Sequence, residues 1–286
     1  MTRERAFVFD CADDRLVGVF HSGAPASGTG VIIVVGGPQY RVGSHRQFVL
    51  MARSLAAAGI PVLRFDYRGM GDAEGAPRMF DATSRDIRAA IDCFAAMVPN
   101  VTKIVLLGLC DAASAILIYA HTDERVTGLI LLNPWVRTAQ GEAKAYLRHY
   151  YLARLLQWSF WRKVISGRYA IGRSLRELAE TGRAARTETS STEKPKGSFI
   201  RMMLAGLEQF QQPTLLVISE RDLTAQEFMD LCRANRRWKS ATGMPSVSTV
   251  HLPQTDHTMS SSSGLKMATD SCTSWLIRNF DTCPPA

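Results

Sequence analysis

Residues 104–120 read IVLLGLCDAASAILIYA, and the fold turns on how they are read. Ile104, Val105, Leu106 and Leu107 make a short apolar run, the composition of a strand buried on both faces. Gly108, Leu109 and Cys110 end the run, and a small-residue helical pattern starts at once and continues through Ala120. A strand that turns sharply into a helix puts the turn residue at the carboxyl end of a sheet, where ligands bind in open α/β folds. Such a turn is tight and needs small neighbours. Gly108 stands two residues before Cys110 and Ala112 two after, which is the spacing G-x-nucleophile-x-G with Cys at the centre and Ala for the last Gly. Cys110 is then either a nucleophile or a thiol that only packs, the commoner state of a free cysteine.

The flanking sequence repeats the strand–helix rhythm. Residues 6–9 and 16–20 flank the polar turn Ala12-Asp13-Asp14-Arg15 and predict a β-hairpin. Residues 31–35 predict a buried strand that ends in Gly36-Gly37. Phe48, Met51, Leu55 and Ala58 recur at helical spacing over 46–58, and Gly59 stops that helix. A strand over 61–66, a helix over 83–97 and a strand over 126–132 follow. Strands that alternate with helices imply a mostly parallel sheet with helices on both faces. The rhythm then breaks. Residues 140–208 hold helical patterns (146–160, 175–185 and 199–210) around the polar stretch TETSSTEKPKGS, which reads as a mobile loop. Strands return at 213–219 and 246–252, with helices from about 225 and over 265–279. The expected organisation is a core of residues 1–139 and 209–286, with residues 140–208 inserted as a helical cap or lid.

Chain order supplies partners for Cys110. Ser219-Glu220-Arg221-Asp222 places Asp222 just after a strand, and Thr255-Asp256-His257 places His257 in the loop after the next strand. Both belong at the carboxyl edge, and nucleophile, acid and histidine follow in the order of an acyl-transfer triad. His257 would take the thiol proton, and Asp222 would fix its tautomer. Asp222 could also cap the helix that follows it, and Glu220 is the substitute acid. An oxyanion hole would draw one N–H from Asp111 and one from the loop GGPQYRVGSH. Pro38 has no N–H, so Gln39 is the expected donor, with Tyr40 as substitute. Gly37, His45 and Leu109 are candidate pocket residues; a structural role for His45 is the alternative. The stretch RFDYRGMGDAEG lacks the ending of a phosphate loop, and its Asp66 and Arg68 read as braces of a turn.

Taken together, GG, FDYRGMGDAEG, GLCDAAS, SERD and DHT in this order resemble the α/β-hydrolase superfamily over almost the whole chain. GGPQYRVGSHRQF with GLCDAAS further resembles hydrolase 1 of the exosortase A system, a bacterial family associated with exopolysaccharide production and surface sorting. The cysteine is similar to that of dienelactone hydrolases and polyester synthases. The resemblance implies an α/β-hydrolase fold, a pocket below a cap, and the nucleophile–acid–histidine set. Cys110 and Ala112 are its departures from the pattern. The implied activity is an acyl hydrolase or acyltransferase, thioesterase- or esterase-like, acting on a small acyl or carrier-bound substrate. The rival is a non-catalytic accessory or binding protein of a polysaccharide export system.

Composition narrows the setting. The chain is 46% hydrophobic and 21% charged, as in ordinary globular proteins. It has no apolar run of the roughly 18 residues a membrane span needs, and its first residues lack the apolar core of a signal peptide. The cytoplasm is the expected compartment. The six cysteines form no CxxC pair, so neither a zinc site nor a disulfide framework is expected, and no cofactor is implied. The net charge of +8 is local: residues 142–201 carry thirteen Lys/Arg against five Glu. A solvated cap is the simple reading of that excess; peripheral contact with anionic membrane or with an acyl carrier is the other. No nucleic-acid-binding motif accompanies it, and the sequence carries no sign of oligomeric state.

Overall fold

The computed structural model describes residues 3–24, 27–37, 39–137 and 198–280. Eight strands form one sheet: β1 (Glu4–Cys11), β2 (Asp14–His21), β3 (Thr29–Val34), β4 (Val62–Asp66), β5 (Lys103–Leu109), β6 (Val126–Leu132), β7 (Thr214–Ser219) and β8 (Val247–Leu252). Their order is β1-β2-β4-β3-β5-β6-β7-β8. β1 and β2 form the expected hairpin, and β2 runs antiparallel to β4. Every other neighbouring pair is parallel. The predicted α/β-hydrolase architecture, with its mostly parallel sheet, is the observed one.

The central strands β3, β5, β6 and β7 are mostly apolar, as strands covered by helices on both faces are. Alternate residues face opposite ways, so Ile32 and Val34 join one core cluster while Val31, Ile33 and Val35 join the other. On one face α1 (Gln47–Ala57) and α7 (Ser262–Asn279) bury Phe48, Met51, Leu55, Trp275 and Leu276. The other face carries α2 (Ser84–Met97), α3 (Asp111–Tyr119), α4 (Ser198–Gln209), α5 (Leu223–Ala234) and α6 (Arg236–Thr242). Each fully buried large side chain contributes about 1.5–3 kcal/mol of hydrophobic stabilisation.

Two details differ from the sequence reading. The helix α6 is an additional element, seven residues long, capped by Asn235, whose side chain accepts from the N–H groups of Arg237 and Trp238. The helix α4, assigned by its sequence position to the insert, packs with the core: Met203, Leu204 and Leu207 are buried in the same cluster as α3. A Cβ on Gly206 would lie 1.8 Å from the Leu117 carbonyl oxygen, so glycine there permits α4 to touch the α3 backbone. The chain divides into one unit of Met1–Val136 with Phe199–Ala286 and a second of Arg137–Ser198. The insert expected from the sequence is 140–208. The helices, mobile loop and basic aromatic surface predicted inside it lie outside the described residues.

Candidate active site

Cys110 sits between β5 and α3 with φ 62° and ψ −123°. This conformation is strained for a residue with a side chain, and it is held from both sides. The Cys110 N–H donates to the Leu132 carbonyl at 2.9 Å, and the Cys110 carbonyl accepts from Trp135 N–H at 3.1 Å and Ser114 N–H at 3.2 Å. A Cβ at Gly108 would lie 2.6 Å from Ile116 and 2.9 Å from the α3 backbone, so the residue two before Cys110 must be glycine. Ala112 fits for a reciprocal reason. Gly36 lies against it, and a Cβ at Gly36 would come within 2.6 Å of Ala112 N and 2.9 Å of Ala112 Cβ.

Asp222 follows β7 as the N-cap of α5. It is 5% exposed. Its Oδ1 accepts from Thr224 N–H at 3.0 Å and its Oδ2 from Ala225 N–H at 3.2 Å. Oδ2 also lies 2.7 Å from Nδ1 of His257. Capping and the histidine contact therefore coexist. Glu220, the substitute acid, is exposed. His257 lies on the loop after β8, with its side chain 31% exposed. Its ring is pushed up from the ordinary 6.5 to about 10, first by the hydrogen bond with Asp222, then by one with the Cys110 side chain, against the opposing effect of burial. Asp222 and His257 thus stand in direct contact, and the Cys110 side chain is near enough to act on the ring.

On the neighbouring loop after β3 the arrangement is less simple. Gly37, at φ 60°, donates its N–H at 2.9 Å to Oδ2 of Asp111. The Asp111 carboxyl is raised by burial, partly offset by the backbone N–H groups around it, and its Oδ1 has no hydrogen-bond partner among the described residues. The side chain of the residue beside Cys110 thus ties the elbow to this loop, a contact the sequence reading did not foresee. Gln39 is half-buried with an unpartnered Oε1, and Tyr40 is 45% exposed. His45 is exposed on the 3₁₀ turn before α1, close enough for its charge to act on Asp256. Leu109, at 2% exposure, packs in the core with Val105 and Leu107.

The loop is clamped at Arg41. Its N–H donates to Asp66 Oδ1 at 2.5 Å, its guanidinium pairs with Asp66 and, at 2.6 Å, with Asp72, and its carbonyl accepts from Arg64 Nη1 at 2.6 Å. Arg64 and Asp66 are two residues apart on β4 and both buried, so they share one face. Arg68 makes a bidentate pair with the fully buried Asp86, at 2.8 and 3.0 Å. Among the described residues no group of three or more His, Cys, Asp and Glu side chains could hold a metal ion. None of their helices is long and apolar enough to cross a membrane.

Solved structures share this architecture. An esterase of Pyrococcus furiosus, Pf2001, superposes with a TM-score of 0.65 at 16% identity, covering 98% of this chain and 94% of its own. Est1E from Butyrivibrio proteoclasticus, solved with ferulic acid, gives 0.63 at 16% identity, covering 96% and 99%. A dienelactone hydrolase from Anabaena variabilis gives 0.59 at 13% identity, covering 98% and 99%. No curated protein matches the sequence. The sequence pattern of the alpha/beta hydrolase family matches residues 19–266. That span includes the elbow at Cys110, the capped Asp222 and the loop of His257, and the chain belongs to the alpha/beta hydrolase family.

Proposed function

We propose that the protein cleaves or transfers acyl groups from esters or thioesters, with Cys110 as nucleophile, His257 as acid–base and Asp222 as its orienting carboxylate. The observation that carries this reading is the 2.7 Å contact of Asp222 with His257, whose ring is raised also by the nearby Cys110 side chain on its strained turn. In the forward step the Cys110 thiolate, its proton already held by the raised His257 ring, attacks, and sulfur bonds to the carbonyl carbon. The carbonyl π electrons move to oxygen, where the N–H groups of Asp111 and Gln39, with Tyr40 as substitute, are the assigned donors. Collapse of the tetrahedral intermediate expels the alkoxide or thiolate, which takes the proton from the imidazolium. Water or another acceptor then gives its proton to His257, attacks the thioester and releases Cys110.

Thiolate is both a good nucleophile and a good leaving group, so transfer competes with hydrolysis on this reading. A role in exosortase-associated exopolysaccharide metabolism rests on the motifs GGPQYRVGSHRQF and GLCDAAS alone, as does the rival assignment to export as a non-catalytic accessory protein. The cytoplasm is the proposed compartment. Intact-mass spectrometry after incubation with p-nitrophenyl esters and acyl thioesters tests the assignment. An acyl adduct is expected on the native chain and none on Cys110→Ala. Turnover by the alanine variant at the native rate would falsify the nucleophile.

A further inference from the structure

We propose that Asn133 is a positioning residue that holds the histidine and acid loops in register with the cysteine elbow, an assignment that rests on the Cys110–His257–Asp222 reading. Asn133 directly follows β6, is 0% exposed, and has φ 45°. Asparagine tolerates the left-handed region better than most residues. Its main chain continues the sheet, the N–H donating to the Val217 carbonyl of β7 at 2.9 Å. Its side chain is used at both ends. Oδ1 accepts from Ser219 N–H at 2.8 Å, which fixes the amide's orientation, since a backbone N–H can only donate. Nδ2 then donates to Ser219 Oγ at 3.0 Å and to the backbone carbonyl of His257 at 3.3 Å.

Each partner leads to a different member of the proposed triad. Ser219 ends β7, and its carbonyl accepts the Asp222 N–H at 3.3 Å. The His257 carbonyl belongs to the proposed base itself. The residues flanking Asn133 hold the nucleophile: the Leu132 carbonyl accepts the Cys110 N–H, the Trp135 N–H donates to the Cys110 carbonyl, and the Trp135 carbonyl accepts from Ser114 Oγ at 2.6 Å. One short segment therefore touches the elbow through its backbone and both partner loops through one amide. Among the described residues, the hydrogen bonds of this segment run to backbone groups and to the side chains of Ser114 and Ser219, none to a triad side chain, so its effect is on the placement of the three groups.

The test uses Asn133→Asp and Asn133→Gly in the full chain, beside Cys110→Ala, with p-nitrophenyl acetate as substrate and rates expressed per folded molecule. Aspartate keeps the acceptor for Ser219 N–H but sets an oxygen against the His257 carbonyl. Glycine keeps the left-handed freedom and removes the amide. For both, kcat is expected to fall about 10- to 100-fold, the scale of small misplacements of reacting groups. KM is expected to change by less than about threefold, since Asn133 is fully buried and presents no surface to substrate. The His257 limb of the pH–rate profile is expected to shift with the ring, which a purely structural loss would not move. Folded variants with native kcat and an unmoved pH limb, alongside an inactive Cys110→Ala, would overturn the role of Asn133 and leave the triad standing. An active Cys110→Ala would overturn both. Asn133→Gly, which keeps the left-handed backbone, carries the test where the aspartate variant does not fold.

Discussion

The Asp222 carboxylate serves three donors with two oxygens: the N–H groups of Thr224 and Ala225 and the ring of His257. Asparagine caps helices about as well as aspartate, so Asp222→Asn separates the cap from the charge. The raised proton affinity of His257 gives the sign. The ring's folded value, about 10, lies above the unfolded 6.5. The stability that the charged pair contributes is therefore fully present below about pH 6.5 and is lost as pH rises toward 10. Thermal melts of the native chain and Asp222→Asn at pH 6, 8 and 10 are expected to differ most at pH 6 and to converge at pH 10. A gap constant across that range would show that the carboxylate's charge does not hold the ring. Asp222 and His257 were legible because each follows a strand and the chain order fixes the edge on which both emerge. The choice of Asp222 over Glu220 needed the cap: the capping residue turns its side chain inward, while Glu220 remains exposed. Asp111 was read only as a backbone donor, because its contact with Gly37 joins loops 74 positions apart.

Among the elements, α3 and α4 show how far periodicity reaches. β5 and α3 were readable from a local pattern, a buried run, small residues at the turn, and a helix at once behind. The helical pattern of α4 was equally plain, yet its partner was not, because Gly206 signals close approach without saying to what. Gly206→Ala sets two effects against each other. Alanine favours a helix by up to about 1 kcal/mol, but its Cβ would lie 1.8 Å from the Leu117 carbonyl, a backbone atom that cannot swing aside. Overpacking of this kind costs about 1–3 kcal/mol, so the clash wins and a lowered melting temperature is expected. A melt at or above the native value would show that α4 does not lie on α3. The helix α6 escaped the sequence reading because its seven residues are too few for a period to stand out after α5.

At the scale of the whole molecule, the sheet sorts the cysteines. Cys11, Cys232 and Cys272 are buried and Cys93 is half-buried, and desolvation raises the thiol of each, to about 12 for Cys232 and Cys272. Cys110 alone of these five stands beside a histidine with raised proton affinity. Brief iodoacetamide treatment at neutral pH, followed by peptide mapping, is expected to label Cys110 first among the described cysteines, and all of them after unfolding in guanidinium. Equal labelling of Cys93 and Cys110 in the native chain would remove the distinction. The parallel pairing of β6 with β7 has a consequence in time. The two strands are neighbours in the sheet but stand on either side of the insert in the chain. The clasp around Cys110 is complete once residue 135 has been made, while the acid and the histidine arrive only at 222 and 257. At ordinary elongation rates the delay is on the order of ten seconds. On the proposed assignment, the growing polypeptide carries its thiol in place but unarmed while it is still being made, and acquires reactivity only when the last strand and its loop have docked.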